Sequence, residues 1–200
     1  MGNRVAKIIK AAASLDNPQT WNYSFYTRDA QGNILANYQM GFVAPIGNNP
    51  PAYHTTLTEL DIYGSSRLGV KAIGKLLDRL PANHSLTYSR YLGYKHYEVS
   101  NHLGNVISIF SDRKIAQDID ANGVIDSYKA VLFASNDYTP FGMQMDGRGL
   151  NASIGLYRYS FNGKPKDDEV YGNGNLIDMG DRHLDTRIGR TPKQDAKGYL

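Results

Sequence analysis

The chain has 200 residues, enough for one domain with a real core or for one slice of something larger. Hydrophobic (41%) and charged (20%) fractions are ordinary for a globular protein and exclude wholesale disorder. A net charge of +3 without a lysine-arginine block argues against nucleic acid as a partner, and the absence of cysteine excludes disulfides, thiolate metal sites and cysteine nucleophiles.

Fifteen tyrosines against six phenylalanines and one tryptophan, with 20 glycines, predict β-structure with many turns. Tyrosine suits a pleated, half-buried surface, and glycine supplies the positive-φ positions that tight turns need.

Residues 1–20 form an N-terminal segment whose longest uncharged run is about five residues, too short for a signal-peptide core or a membrane span. Met1 and Gly2 fit the start of a myristoylation signal, but Ala6 stands where serine or threonine is required. Val5, Ile8, Ile9 and Ala12 share one helical face and predict a short helix over 5–13. From Trp21 the pattern changes to alternation, with Trp21, Tyr23 and Phe25 pointing one way along a strand. A turn at 29–33 and the returning segment ILANYQ complete a hairpin. Residues 45–56 hold three prolines and read as a loop, after which LTELDIYG resumes as a strand. Ile73, Leu76, Leu77 and Leu80 sit at helical spacing and predict a helix over 70–80, weakened by Gly74 and ended by Pro81. Further strands are expected around 86–99, 105–111, 128–138 and 155–161, the last closing on the hairpin dipeptide Asn162-Gly163.

Gly-Asn before two aliphatics occurs three times, at Gly32, Gly104 and Gly174, spaced 72 and 70 residues apart. Together with the tyrosine-rich strands, this recurrence points to a repetitive architecture in which each hairpin leans on its neighbours.

The blocks YTRDAQGNILANY, DIYGSSRLG, GYKHYEVSNHLGNVISIFSDRK, NDYTPFGMQM and YRYSFNGKPKDDE occur in this order. In this they resemble the RHS-repeat-associated core region of the RHS or YD-repeat family as found in Bacteroidetes. The resemblance covers roughly residues 21–195 and divides the chain into a 1–20 segment and a 21–200 core-like β region that is C-terminally incomplete. It implies an all-β fold, mainly antiparallel hairpins in a β-ribbon shell segment, with one or two short helices. It further implies enclosure and export of a C-terminal toxin or effector by a secreted or cell-surface bacterial protein. The partners implied are the remainder of a larger RHS polypeptide or the enclosed cargo.

Relatives also release their cargo by aspartate-dependent self-cleavage. Arg187, Ile188, Gly189 and Arg190 match the end of the family pattern, and Asp195 falls on the aspartate of its Asp-Pro pair. The proline after it is replaced by Ala196, and Thr191 and Pro192 stand where apolar residues follow the arginine. The second Asp-Pro-Gly segment is absent. Self-cleavage requires two acidic groups sharing a water, so neither self-processing nor any other enzymatic activity is expected. The basic tail over 182–197 reads as a solvated segment.

The stretch DIDANGVIDSYK fits the first nine positions of a calcium loop. Asp118, Asp120, Asn122 and Asp126 supply side-chain oxygens, the Val124 carbonyl a fifth ligand, and Gly123 the sharp bend. The twelfth position, which needs a bidentate glutamate, is Lys129, and the flanks read as strands. The same residues also make a plain acidic hairpin loop. If an ion binds, a second function becomes open: a calcium-steadied cell-surface β-protein that holds glycans or a protein partner.

The five histidines, His54, His84, His96, His102 and His183, show no helical metal spacing and read as structural, with His102 packing or hydrogen-bonding in the wall. GSSRLG at 64–69 lacks the lysine of a phosphate loop. The face of Tyr157, Tyr159 and Phe161 fits either sugar stacking or core packing.

Overall fold

The computed structural model describes residues 4–10, 12–43, 52–78, 91–150, 157–180 and 182–192. The fold is all-β and antiparallel. Helix among the described residues is limited to α1 (Asp168–Tyr171) and short 3-10 turns, none long and apolar enough to cross a membrane. The chain divides into two compact units, Met1–Tyr94 and Lys95–Leu200.

The first unit is a meander in chain order: β1 (Ala6–Ile9), β2 (Asn22–Arg28), β3 (Ile34–Val43), β4 (Ala52–Tyr63) and β5 (Arg67–Leu76). Each strand pairs antiparallel with the next, and the expected hairpin of 21–39 is β2 against β3. Ile34, Ala36, Asn37 and Val70 are buried, whereas most of β4 is only half-buried and Leu35, Tyr53 and Leu68 are exposed.

Two helices expected in this unit are strands. Residues 6–9 pair with 22–25, so Ile8 faces Tyr23 across the ladder instead of lying on a helix. A helix of nine residues is marginal in isolation, and β-branched Val5, Ile8 and Ile9 gain more by extending a sheet edge. Ala12–Ser14 is a single 3-10 turn. In β5 the helical spacing arises from a β-bulge. Leu57 faces Lys75 and Glu59 faces Ala72, which leaves Ile73 and Gly74 opposite Thr58 alone. Gly74 takes φ 63° there, and the extra residue shifts the period-two alternation by one. Positions 79 and 80 of the expected helix lie outside the described residues. The loop expected over 45–56 is strand from Ala52 onward, where Ala52 pairs with Val43 and Thr56 with Gln39.

The second unit opens with β6 (Lys95–Ser100), β7 (Val106–Gln117) and β8 (Ser127–Ser135), again antiparallel in chain order. Residues 86–90 of the strand expected over 86–99 lie outside the described residues. Val106, Ile109, Ala134, Tyr157, Tyr159, Leu176 and Ile177 are the buried hydrophobic residues of this unit among those described. Residues 155 and 156 of the strand expected over 155–161 lie outside the described residues; from Tyr157 onward the chain is irregular, Tyr159 makes one bridge to Pro165, and Phe161–Gly163 is a 3-10 turn. The Asn162-Gly163 pair does turn the chain, with φ 51° and 62° and a bond from the Lys164 N–H to the Phe161 carbonyl (3.0 Å). A small sheet of β9 (Leu176–Asp178) and β10 (His183–Asp185) completes the unit.

Three hairpin loops, 29–33, 101–105 and 139–143, share one construction. The first residue's N–H donates to the fifth carbonyl (3.0, 3.0 and 2.8 Å), and the fourth residue's N–H donates back to the first carbonyl (3.1, 2.9 and 2.9 Å). The first side chain, Asp29, Asn101 or Thr139, accepts the N–H of the fifth residue (2.8, 3.0 and 3.2 Å). The fourth residue is Gly32, Gly104 or Gly142 at φ 89°, 80° and 89°, a left-handed position that a Cβ disfavours. The Gly-Asn pairs at 32 and 104 are therefore the last two residues of one loop type. Gly174-Asn175 belongs to a different turn, in which the Gly174 N–H donates to Asp168 (2.7 Å).

A candidate cation loop and the buried charges of the C-terminal unit

The acidic stretch is the tip of the β7–β8 hairpin, closed by pairing of Gln117 with Ser127. Asp118, Asp120 and Asp126 place carboxylate oxygens within 4.8 Å of one another. Asp118 organises the loop by accepting the N–H groups of Asn122 (3.1 Å) and Gly123 (2.7 Å). Asp126 accepts the Ile119 N–H (2.7 Å), Asp120 holds the Asn122 amide (2.9 Å), and Asn122 Oδ1 accepts the Val124 N–H (2.7 Å). Each carboxylate has further lone pairs to offer, so the donor chemistry suits a hard, oxygen-seeking cation. Lys129 stands on β8 opposite Ile115 rather than in the loop, and supplies no ligand. All three aspartates are exposed.

Asp195 lies outside the described residues, as does His84. His54 is bonded to Asp78, whose carboxyl is held below the usual range chiefly by that contact. The His96 ring lies against Phe133, centroids 4.1 Å apart. His102, expected to pack or hydrogen-bond in the wall, is exposed as the second residue of the 101–105 loop. Tyr157 and Tyr159 are buried, and the Tyr157 hydroxyl donates to Glu98 (2.6 Å), so these rings serve packing and offer no open stacking face.

Sequence reading passed over a group of buried charges in the last 40 residues. Lys166, Asp167, Asp178 and Asp185 are all buried. Residues 165–167 run beside β9, with the Asp167 N–H donating to the Leu176 carbonyl and the Asp178 N–H to the Pro165 carbonyl (both 2.9 Å). His183 on β10 meets Asp167 at 2.7 Å. Asp185 receives the Arg187 guanidinium on both oxygens (3.0 and 2.7 Å) as well as the Arg187 N–H (3.1 Å). The guanidinium also covers the Tyr171 ring at 4.8 Å. Charged residues read as surface from sequence; the available signal was their density in KPKDDE and LDTR beside short apolar runs.

The Arg187 fork holds the Asp185 carboxyl below the usual carboxylate range. A carboxyl depressed in the folded state stabilises that state above its unfolded pKa of about 3.9, and the gain is lost as pH falls through the folded value. Asp29 and Asp78 are shifted in the same direction. Melting temperature should therefore fall steeply below about pH 4, and Asp185→Asn should flatten part of that fall. Thermal melts from neutral to acid pH at fixed ionic strength test it; an unchanged acid slope in the variant removes Asp185 as a contributor.

No protein-family model matches the chain, and no characterised protein matches it at a significant level.

Proposed function

We propose that the chain is wall: a segment of a larger β-shell of the RHS or YD-repeat kind, which encloses and helps export a C-terminal toxin or effector from a bacterial cell. The observation that supports this is the way strands follow one another. From β1 to β5 in the first unit and from β6 to β8 in the second every strand pairs with its successor in the chain, and the sheets leave large apolar side chains uncovered. Leu35, Tyr53 and Leu68 in the first unit, and Tyr97, Val99, Ile115 and Leu132 in the second, are exposed. Such residues belong against a further β-layer or a cargo. On this reading the chain performs no chemistry on a second molecule. Electron microscopy of the natural polypeptide that carries the segment is the test. A hollow shell with internal density is expected, and a solid particle without a lumen overturns the proposal.

The loop of Asp118, Asp120 and Asp126 favours a second reading, a calcium-steadied surface β-protein. With no bidentate glutamate, affinity should be no better than the roughly 10⁻⁴–10⁻³ M of extracellular calcium modules. At a tenfold excess over the dissociation constant, linkage gives about 1.4 kcal/mol of stabilisation. In a chain of this size that raises the melting temperature by only a few degrees. The measurement compares about 10 mM calcium with chelator. A rise that survives Asp120→Ala places the ion elsewhere, and no rise at all makes the loop a plain hairpin tip.

A further inference from the structure

The most enclosed amine described in the protein is that of Lys166, whose side chain is only 2% exposed. Its Nζ lies 3.1 Å from Asn173 Oδ1 and 3.4 Å from Asp168 Oδ2. An amine, a carboxamide and a carboxylate thus converge within one short turn. Lys166 is fixed by the bridge between its backbone and Ile177 of β9. Asp168 is fixed through its other oxygen, which accepts the Gly174 N–H at 2.7 Å. That bond has a second consequence. Asparagine before glycine normally loses ammonia when the glycine nitrogen attacks the side-chain carbon, and here that nitrogen's hydrogen is already donated to Asp168. The nucleophile better placed for the Asn173 carboxamide is therefore Lys166.

We infer that Lys166 and Asn173 become joined by an intramolecular amide bond, formed by the folded chain itself with Asp168 as proton carrier. Asp168 takes the ammonium proton, and the neutral Nζ adds to Cγ of Asn173. A second Nζ proton passes through Asp168 to Nδ2, the Cγ–Nδ2 bond breaks, and ammonia leaves with the remaining proton as ammonium. Lysine ammonium plus carboxamide thus gives a secondary amide plus ammonium, with no oxidant or cofactor. Burial supports the first step, because it pushes the Lys166 amine below its ordinary pKa and favours the neutral form, against an opposing pull from Asp168. Asn173 is exposed, which gives the departing ammonia a path to solvent. The bond would fasten the 165–167 segment to the turn before β9. This inference does not depend on the shell reading; a linked chain that forms no shell leaves it standing.

Mass spectrometry of the purified wild-type chain is the experiment. The intact mass should fall one ammonia below that of the sequence. Trypsin should fail to cut after Lys166, and the peptide 159–182 should carry the deficit. Lys166→Arg should restore the full mass, and Asp168→Asn should leave most of the chain unlinked. A wild-type chain of full mass that trypsin cuts after Lys166 overturns the inference, with no variant required. A deficit that leaves Lys166 cleavable, or persists in Lys166→Arg, marks a succinimide at Asn173 and overturns it equally. Complete linkage in Asp168→Asn overturns the proton-carrier role.

Discussion

Ile109→Ala should destabilise the second unit by about 2–5 kcal/mol, the range for truncating a fully buried isoleucine. Ile109 is 1% exposed and sits on the central strand β7, opposite Glu98 on β6 and Ala134 on β8. Strands on both sides fix its backbone, so the cavity left by three lost carbons has little room to collapse. Ile115→Ala is the internal control: the same strand and residue type, but 52% exposed. Away from packed positions such a change stays within about 0.5 kcal/mol. With a urea slope of about 1–3 kcal/mol per molar, a 3 kcal/mol loss moves the unfolding midpoint by roughly 1–3 M. Equal effects at Ile109 and Ile115 would mean that this face of β7 is not the core.

What the sequence revealed of this fold follows from where period two survives. Asn22–Arg28 keeps part of that alternation and read correctly as a strand, whereas Val106–Gln117 read as one through the aliphatics that follow its Gly-Asn turn. Arg67–Leu76 did not, because the bulge at Gly74 breaks the alternation and leaves Ile73, Leu76 and Leu77 at a spacing that, with Leu80, imitates a helix. The same mechanism limited the recurring turn. Gly-Asn identified the loops at 29–33 and 101–105, but their common construction depends on the first residue and the glycine, not on the asparagine. The 139–143 loop, which ends on Met143, was therefore invisible to that pattern, while Gly174-Asn175 matched it and folds otherwise.

The acidic loop was legible because its ligand spacing is local: one hairpin tip contains every oxygen. The buried charges around Lys166 and Asp185 were not. Their burial comes from β9 and β10 folding back over 165–167, a tertiary event that no window of the sequence contains. A charged residue in a short turn looks solvated until the segment that covers it is known. Asp167 makes the point: its partner His183 is 16 residues away and belongs to a strand of only three residues.

Gly142→Ala should cost about 2–5 kcal/mol, from two separable sources. The first is conformational. Gly142 holds φ 89°, and a side chain in the left-handed region costs about 1–2 kcal/mol. The second is steric. A Cβ on Gly142 would sit 2.5 Å from Cγ of Phe161 and 2.6 Å from its Cδ1, far inside the roughly 3.5–4.0 Å of favourable carbon contact. Phe161 cannot retreat freely, since its ring also lies 6.0 Å from that of Tyr138 and its backbone leads into the Asn162-Gly163 turn. That turn is itself pinned, with the Asn162 N–H donated to Asn105 at 2.8 Å. Overpacking of this kind adds about 1–3 kcal/mol. Gly147→Ala separates the two sources, because Gly147 also has positive φ (69°) but open space around it, and should show the conformational cost alone. Phe161→Leu completes a double-mutant cycle. If the ring is the obstacle, Gly142→Ala should be milder in the Phe161→Leu background, with a coupling of about 0.5–3 kcal/mol. Equal penalties in the two backgrounds would assign the whole effect to backbone conformation and detach the 139–143 loop from the Phe161 ring.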